Sequence, residues 1–131
     1  MNAVHRLILS VTRGRAGWKA DKMPVLELTT TGRKSGQQRS CMLTSPLQEN
    51  GSIVIIASRG GDDTHPAWYL NLSENPQVTM RYMGQPKKSM VARTASPEER
   101  ARMWPLVTAS NKRYAGYQDR TSREIPLVIL S

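Results

Sequence analysis

The run Ser52-Ile53-Val54-Ile55-Ile56-Ala57-Ser58 restricts the fold more than any other stretch. Its β-branched residues suit a pleated strand better than a helix. Both faces stay apolar until Ser58, so both must be covered by protein. The run therefore reads as a central strand. Asn50-Gly51, just ahead of it, is the strongest short hairpin signal. The strand thus returns antiparallel from a partner.

The same punctuation recurs along the chain. Val25 to Thr29 alternates as a half-buried strand, and Arg39 to Leu47 is extended again. Between them, Gly32 and Gly36 allow a tight reversal, which makes a hairpin with Arg33, Lys34 and Ser35 at its tip. Gln77 to Met83 and Lys88 to Thr94 form another strand pair around Gly84-Gln85-Pro86. Ile125 to Leu130 closes the chain as a strand, and Pro126 sets at least its first part at a sheet edge.

Helices separate these pairs. Pro66 opens one that runs to Ser73 and stops at Asn75-Pro76. Ser96, Pro97 and Glu99 are the N-cap, first position and capping-box partner of another, which Pro105 kinks or ends. Tyr114 and Tyr117 share a face if Lys112 to Arg123 contains a helical turn. Antiparallel pairing dominates and no βαβ alternation occurs, which excludes a doubly wound nucleotide fold. The expected class is α+β, mainly β: a compact antiparallel barrel with short flanking helices.

A length of 131 residues suits one domain, taken as 1–131. The single cysteine, Cys41, excludes an internal disulfide and suits a reducing compartment. No apolar run approaches the roughly 20 residues that span a bilayer, and no signal peptide is evident, so a cytoplasmic protein is expected. The net charge of +9 favours anionic partners. Its excess gathers in residues 1–40, where Arg6, Arg13, Arg15, Lys19, Lys22, Arg33, Lys34 and Arg39 face only Asp21 and Glu27. Residues 1–20 form a basic arm in which Val4, Leu7, Ile8 and Val11 mark one helix face. That helix either closes the core or touches anionic lipid as a peripheral membrane contact. Trp18 covers the core or lines a pocket.

The hairpin tip is the clearest candidate site. Arg33, Lys34 and Arg39, with Ser35 and the loop N–H groups, make a nest suited to phosphate or carboxylate. A basic tip also serves solubility alone, so both readings stand at this point. It is not a Walker loop: three residues, not four, separate the glycines. No Gly-x-Ser-x-Gly elbow is present. Asp62, Asp63 and His65 have poor zinc spacing, so no metal site is expected. No RNA-binding or helix-turn-helix signature supports a nucleic-acid partner. Without an obvious nucleophile or acid–base pair, demanding chemistry must come from a cofactor.

Four motifs then occur in order: Thr-Thr-Thr-Gly-Arg-Lys-Ser-Gly-x-x-Arg (29–39), Ala-Ser-Arg-Gly-Gly (57–61), His-Pro-Ala-Trp-Tyr-x-Asn-Leu-x-x-Asn-Pro (65–76) and Arg-Glu-Ile-Pro-x-Val (123–128). Together they resemble the deazaflavin-dependent nitroreductase and quinone reductase family of actinobacteria, which uses reduced coenzyme F420. The resemblance implies a split β-barrel like that of FMN-binding proteins. It implies that Arg33, Lys34, Ser35 and Arg39 hold the acidic coenzyme tail, with Ser40 and Cys41 following on the strand. Ile56, Ala57, Ser58 and Arg59 would border the ring, as would Ala67, Trp68, Tyr69, Leu70 and Asn71. Tyr114 and Tyr117 would face the acceptor, with Ser58 assisting; their alternative is simple ring packing.

The implied activity is hydride transfer from C5 of the deazaflavin to a quinone, nitroaromatic or activated enone. A protein that only binds F420 or a lipid-like ligand is the alternative, FMN is the weaker cofactor candidate, and a monomer and a homodimer both stay open. Two departures from the family pattern occur. Arg59 stands where lysine is common, and an aromatic residue near Asn111 is missing.

Overall fold

The computed structural model describes residues 19–20 and 23–131. The helix expected over residues 4–11 and Trp18 lie outside them, as does the arm except for the backbone of Lys19 and Ala20. Eight strands are present among the described residues: β1 (Lys19–Ala20), β2 (Met23–Thr31), β3 (Gln38–Thr44), β4 (Leu47–Glu49), β5 (Ser52–Ile56), β6 (Gln77–Tyr82), β7 (Lys88–Thr94) and β8 (Leu127–Leu130). Three α-helices accompany them among the described residues: α1 (Ala67–Glu74), α2 (Pro97–Ser110) and α3 (Arg113–Asp119).

Every pairing among the described residues is antiparallel. The ladder runs β2-β6-β7-β8-β5-β4, with β3 on the other side of β2. β3 and β4 thus stand at opposite ends of the pairing order. Yet only Ser45 and Pro46 join them in sequence, a link that reaches about 11 Å at most. The sheet must therefore curl until its ends meet, which makes the split barrel.

Ser45 closes that corner. Its N–H donates to the Pro24 carbonyl at 3.0 Å. Its hydroxyl stands 2.6 Å from the Val54 carbonyl oxygen and 3.0 Å from that of Leu47. Ser45 is wholly buried, so these bonds meet the requirement that buried polar groups find partners. The extended stretch expected from Arg39 to Leu47 is accordingly broken into two strands. Pro46 has no N–H to continue a ladder.

β5 is sandwiched as its composition requires. Ile53 and Ile55 join a core cluster with Leu26, Leu28, Leu72, Met80 and Val128. Val54 and Ile56 point the other way, toward Met103, Val107, Tyr114, Ile125 and Leu127. α1 covers part of the first face, and α2 and α3 cover the second.

One proline expectation needs correction, and another loses one of its two alternatives. β8 is not an edge strand, because β5 and β7 flank it. Pro126 lies just before the ladder, and its carbonyl accepts from Ala57 N–H at 3.0 Å. Only its missing donor was a liability, and none is required there. Pro105 does not end α2, which continues to Ser110. Its ring costs the helix the bond to Ala101, and both residues face solvent, where water serves that carbonyl. The capping box of α2 forms as expected, with Glu99 N–H donating to Ser96 Oγ at 3.2 Å and Ser96 N–H to Glu99 Oε1 at 2.9 Å.

Candidate functional site

β2 and β3 pair from Val25↔Thr44 to Thr31↔Gln38, which leaves a six-residue tip, Gly32 to Gln37. Gly32 N–H donates to the Gln37 carbonyl at 2.7 Å and Gly36 N–H to that of Gly32 at 2.8 Å. A Cβ on Gly32 would stand 2.8 Å from Ser35 Oγ, and Gly36 has φ +72°. Both glycines are thus required by the turn itself.

α1 packs against this tip through Asn71, which is only 5% exposed. Its Oδ1 accepts from Arg33 N at 3.1 Å and from Arg33 Nη1 at 3.0 Å. Its Nδ2 donates to Thr30 Oγ1 at 3.2 Å. Across the β2–β3 ladder, the Thr29 and Ser40 hydroxyls meet at 2.7 Å.

Between hairpin and helix lies a cavity of about 400 Å³. Its cationic end is made by Arg33, Lys34 and Arg39, and its other wall by Cys41, Ala67 and Trp68. Ser35, Ser40, Asn71, Thr30 and Gly32 complete the lining. No carboxylate lies in that lining, and none pairs with the three cations among the described residues. An uncompensated positive field over a partly apolar slot selects an anion with an attached ring or chain. Burial and then the Glu27 carboxylate push the Cys41 thiol up to about 11. At neutral pH it is an uncharged wall, not a nucleophile.

The fold therefore brings Arg33, Lys34, Ser35, Arg39, Ser40, Cys41, Ala67, Trp68 and Asn71 to one cavity. The other sequence candidates lie outside its lining. Ile56 and Ala57 are buried at the end of β5 and just beyond it. Ser58 and Arg59 lead into the turn that follows, where Arg59 lies 3.7 Å from Asp62 and also bonds Thr64. Tyr69 packs on His65 with the rings tilted by 48° and their centroids 4.8 Å apart, and its hydroxyl meets Thr94 Oγ1 at 3.0 Å. Leu70 is half-buried on α1.

Tyr114 and Tyr117 do share a face of α3, edge to face at 6.0 Å. Tyr114 is buried, with its hydroxyl 3.2 Å from Thr44 Oγ1. Tyr117 is half-buried beneath Arg120. In the loop of Asp62, Asp63 and His65, Asp63 accepts from Thr121 Oγ1 at 2.7 Å and His65 Nδ1 stands 3.1 Å from Arg123 Nη1.

Sequence reasoning passed over Thr30 as a lining residue, although alternation with Leu26 and Leu28 puts it on the inward face. It also gave no role to Arg123, whose side chain reaches back to Ala57, Ser58, Asp62 and His65. Nothing local in the sequence signals that reach.

The sequence matches the family described as F420H(2)-dependent quinone reductase over residues 4–131. It is 39% identical over 132 aligned positions to the F420H(2)-dependent quinone reductase Rv1261c of Mycobacterium tuberculosis, covering 98% of this chain and 87% of that one. Among solved structures, the F420-H2 dependent reductase FDR-A superposes with a TM-score of 0.73 at 38% identity, over 82% of this chain and 94% of that one. A structure described as a domain-swapped dimer superposes with a TM-score of 0.76 at 34% identity, over 99% and 98% of the two chains.

Proposed function

The chain belongs to the F420H(2)-dependent quinone reductase family, and from that premise we propose that it is an oxidoreductase that uses reduced F420 to reduce a quinone. When bound, reduced F420 supplies the hydride, from C5 of its deazaflavin ring. The observation that carries the reading is the acid-free cationic end of the cavity. A coenzyme tail of phosphate and carboxylate groups fits that donor set, whereas a neutral ligand does not use it.

The chain's own residues do four things. Arg33, Lys34 and Arg39 bind the anionic tail, and Ser35 and Ser40 add hydroxyl donors. Asn71 holds Arg33 in place, so the binding geometry is formed in advance. Trp68, Ala67 and the neutral Cys41 give the slot an apolar wall. Ile56 to Arg59 border the ring from the end of β5. Tyr117, with Tyr114 behind it and Ser58 nearby in sequence to the turn it packs on, orients the acceptor and donates a hydrogen bond to its oxygen. Nitroaromatics and activated enones belong to the same electron-poor class and are further substrates under this proposal. Support for a homodimer comes from the neighbour described as a domain-swapped dimer.

No helix among the described residues is long and apolar enough to cross a membrane. We propose a cytoplasmic enzyme whose basic arm, residues 1–20, meets membranes peripherally. Two measurements test the function. Fluorescence titration with F420 and FMN side by side is expected to show tighter binding of F420. Mixing protein, reduced F420 and menadione is expected to oxidise the coenzyme. Binding without oxidation favours a carrier, and no affinity at low ionic strength overturns the assignment.

A further inference from the structure

We infer that Arg123 is a positioning residue for the coenzyme site: its guanidinium fork locks the Ala57–His65 segment and so sets the entry of α1 into the cavity wall. This rests on the F420 reading above.

The contacts are specific. Arg123 Nε donates to the Asp62 carbonyl at 2.8 Å. Nη2 donates to the Ser58 carbonyl at 2.8 Å and the Ala57 carbonyl at 3.3 Å. Nη1 donates to Ala57 at 3.3 Å and stands 3.1 Å from His65 Nδ1. One planar group thus gathers three carbonyls and one ring nitrogen, all more than fifty residues upstream. A guanidinium has only donors and keeps its proton. His65 Nδ1 must therefore accept, which makes the ring neutral and puts its proton on Nε2. Burial and the Arg123 charge both lower the His65 pKa, which agrees with that state.

The lock is anchored at its own end and leads to the cavity at the other. Gln118 Nε2 donates to the Arg123 carbonyl at 2.7 Å. Gln118 Oε1 accepts from Ile125 N at 2.9 Å and Arg100 Nη2 at 3.0 Å. Beyond His65, Pro66 caps α1, and Ala67, Trp68 and Asn71 follow in the cavity lining. α3 seals the same segment, because a Cβ on Gly61 would stand 2.6 Å from the Tyr117 carbonyl oxygen. Arg123 pairs with no carboxylate among the described residues. Its charge rests on backbone dipoles, so what it supplies is orientation, and a lysine cannot reproduce the fork.

The test uses the whole chain. In the wild-type protein, nitrogen-15 NMR of the His65 ring is expected to show the neutral Nε2–H tautomer at pH 7. R123K and R123A are expected to fold, to lose that single tautomer, and to bind F420 about tenfold more weakly, as a displaced binding wall would cause. An Nδ1–H tautomer in the wild type overturns the lock, whatever the variants do. Wild-type F420 affinity in folded R123K shows that charge alone suffices and overturns the role of the fork. A wild-type protein with the expected tautomer but no affinity for F420 overturns the functional reading, and with it the role given to Arg123 there.

Discussion

Arg33 and Asn71 are joined twice through one oxygen: Asn71 Oδ1 accepts from both the backbone and the guanidinium of Arg33, at 3.1 and 3.0 Å. The two residues are 38 positions apart, on a hairpin tip and a helix. The bond pair makes an otherwise exposed loop part of a cavity wall. Asn71→Ala leaves Arg33 N–H and Thr30 Oγ1 without this partner. A stability loss of about 1–3 kcal/mol is expected from a buried group so deprived. F420 affinity should fall as well. Urea unfolding and coenzyme titration on the same preparation check both.

Lys34 and Arg39 line the cavity but carry no part of the core. The double change to alanine should leave the unfolding midpoint within error and weaken F420 binding strongly. A hydrogen bond to a charged group is worth about 1.5–3 kcal/mol, less where water screens it. A loss of at least about tenfold is therefore expected. The slope of affinity against salt should flatten in parallel. Unchanged affinity would refute the tail assignment.

Tyr114 and Tyr117 should separate on mutation to phenylalanine. Tyr114 is 7% exposed and its hydroxyl meets Thr44, so Tyr114→Phe should lower stability by about 1 kcal/mol. Tyr117 is half-buried, and Tyr117→Phe should slow turnover more than it weakens coenzyme binding. Steady-state kinetics with menadione decide the second point; equal kcat removes the proposed role.

Cys41 gives a pH prediction. Burial and Glu27 raise its thiol from 9.0 to about 11. Its uncharged form is favoured by folding, so the associated stability is complete below pH 9 and is lost as pH rises toward 11. Iodoacetamide should modify the folded protein slowly at pH 8 and faster only as pH approaches 11. Rapid alkylation at pH 8 that F420 does not slow would contradict a protected cavity wall.

Local chemistry was readable from the chain. Asn50 and Gly51 both take positive φ, at 50° and 82°, as a two-residue hairpin turn requires. The Ser96–Glu99 box depends only on residues three apart, and it forms. The double-sided apolar run of β5 predicted its sandwiched place. The hairpin tip was found because its cations and glycines are neighbours in sequence. Pro126 misled because a missing donor is a local fact, whereas the need for one depends on where the ladder begins.

The order of residues was enough to specify hairpins, caps, a buried central strand and a cationic turn, since each is set by short-range sterics and by which side chains avoid water. The curled sheet alone decided that Ser45 would tie its two ends, that Asn71 would face Arg33, and that Arg123 would reach back to His65. Those contacts join residues tens of positions apart, and no periodicity or propensity encodes a pairing whose partners meet only after the barrel closes.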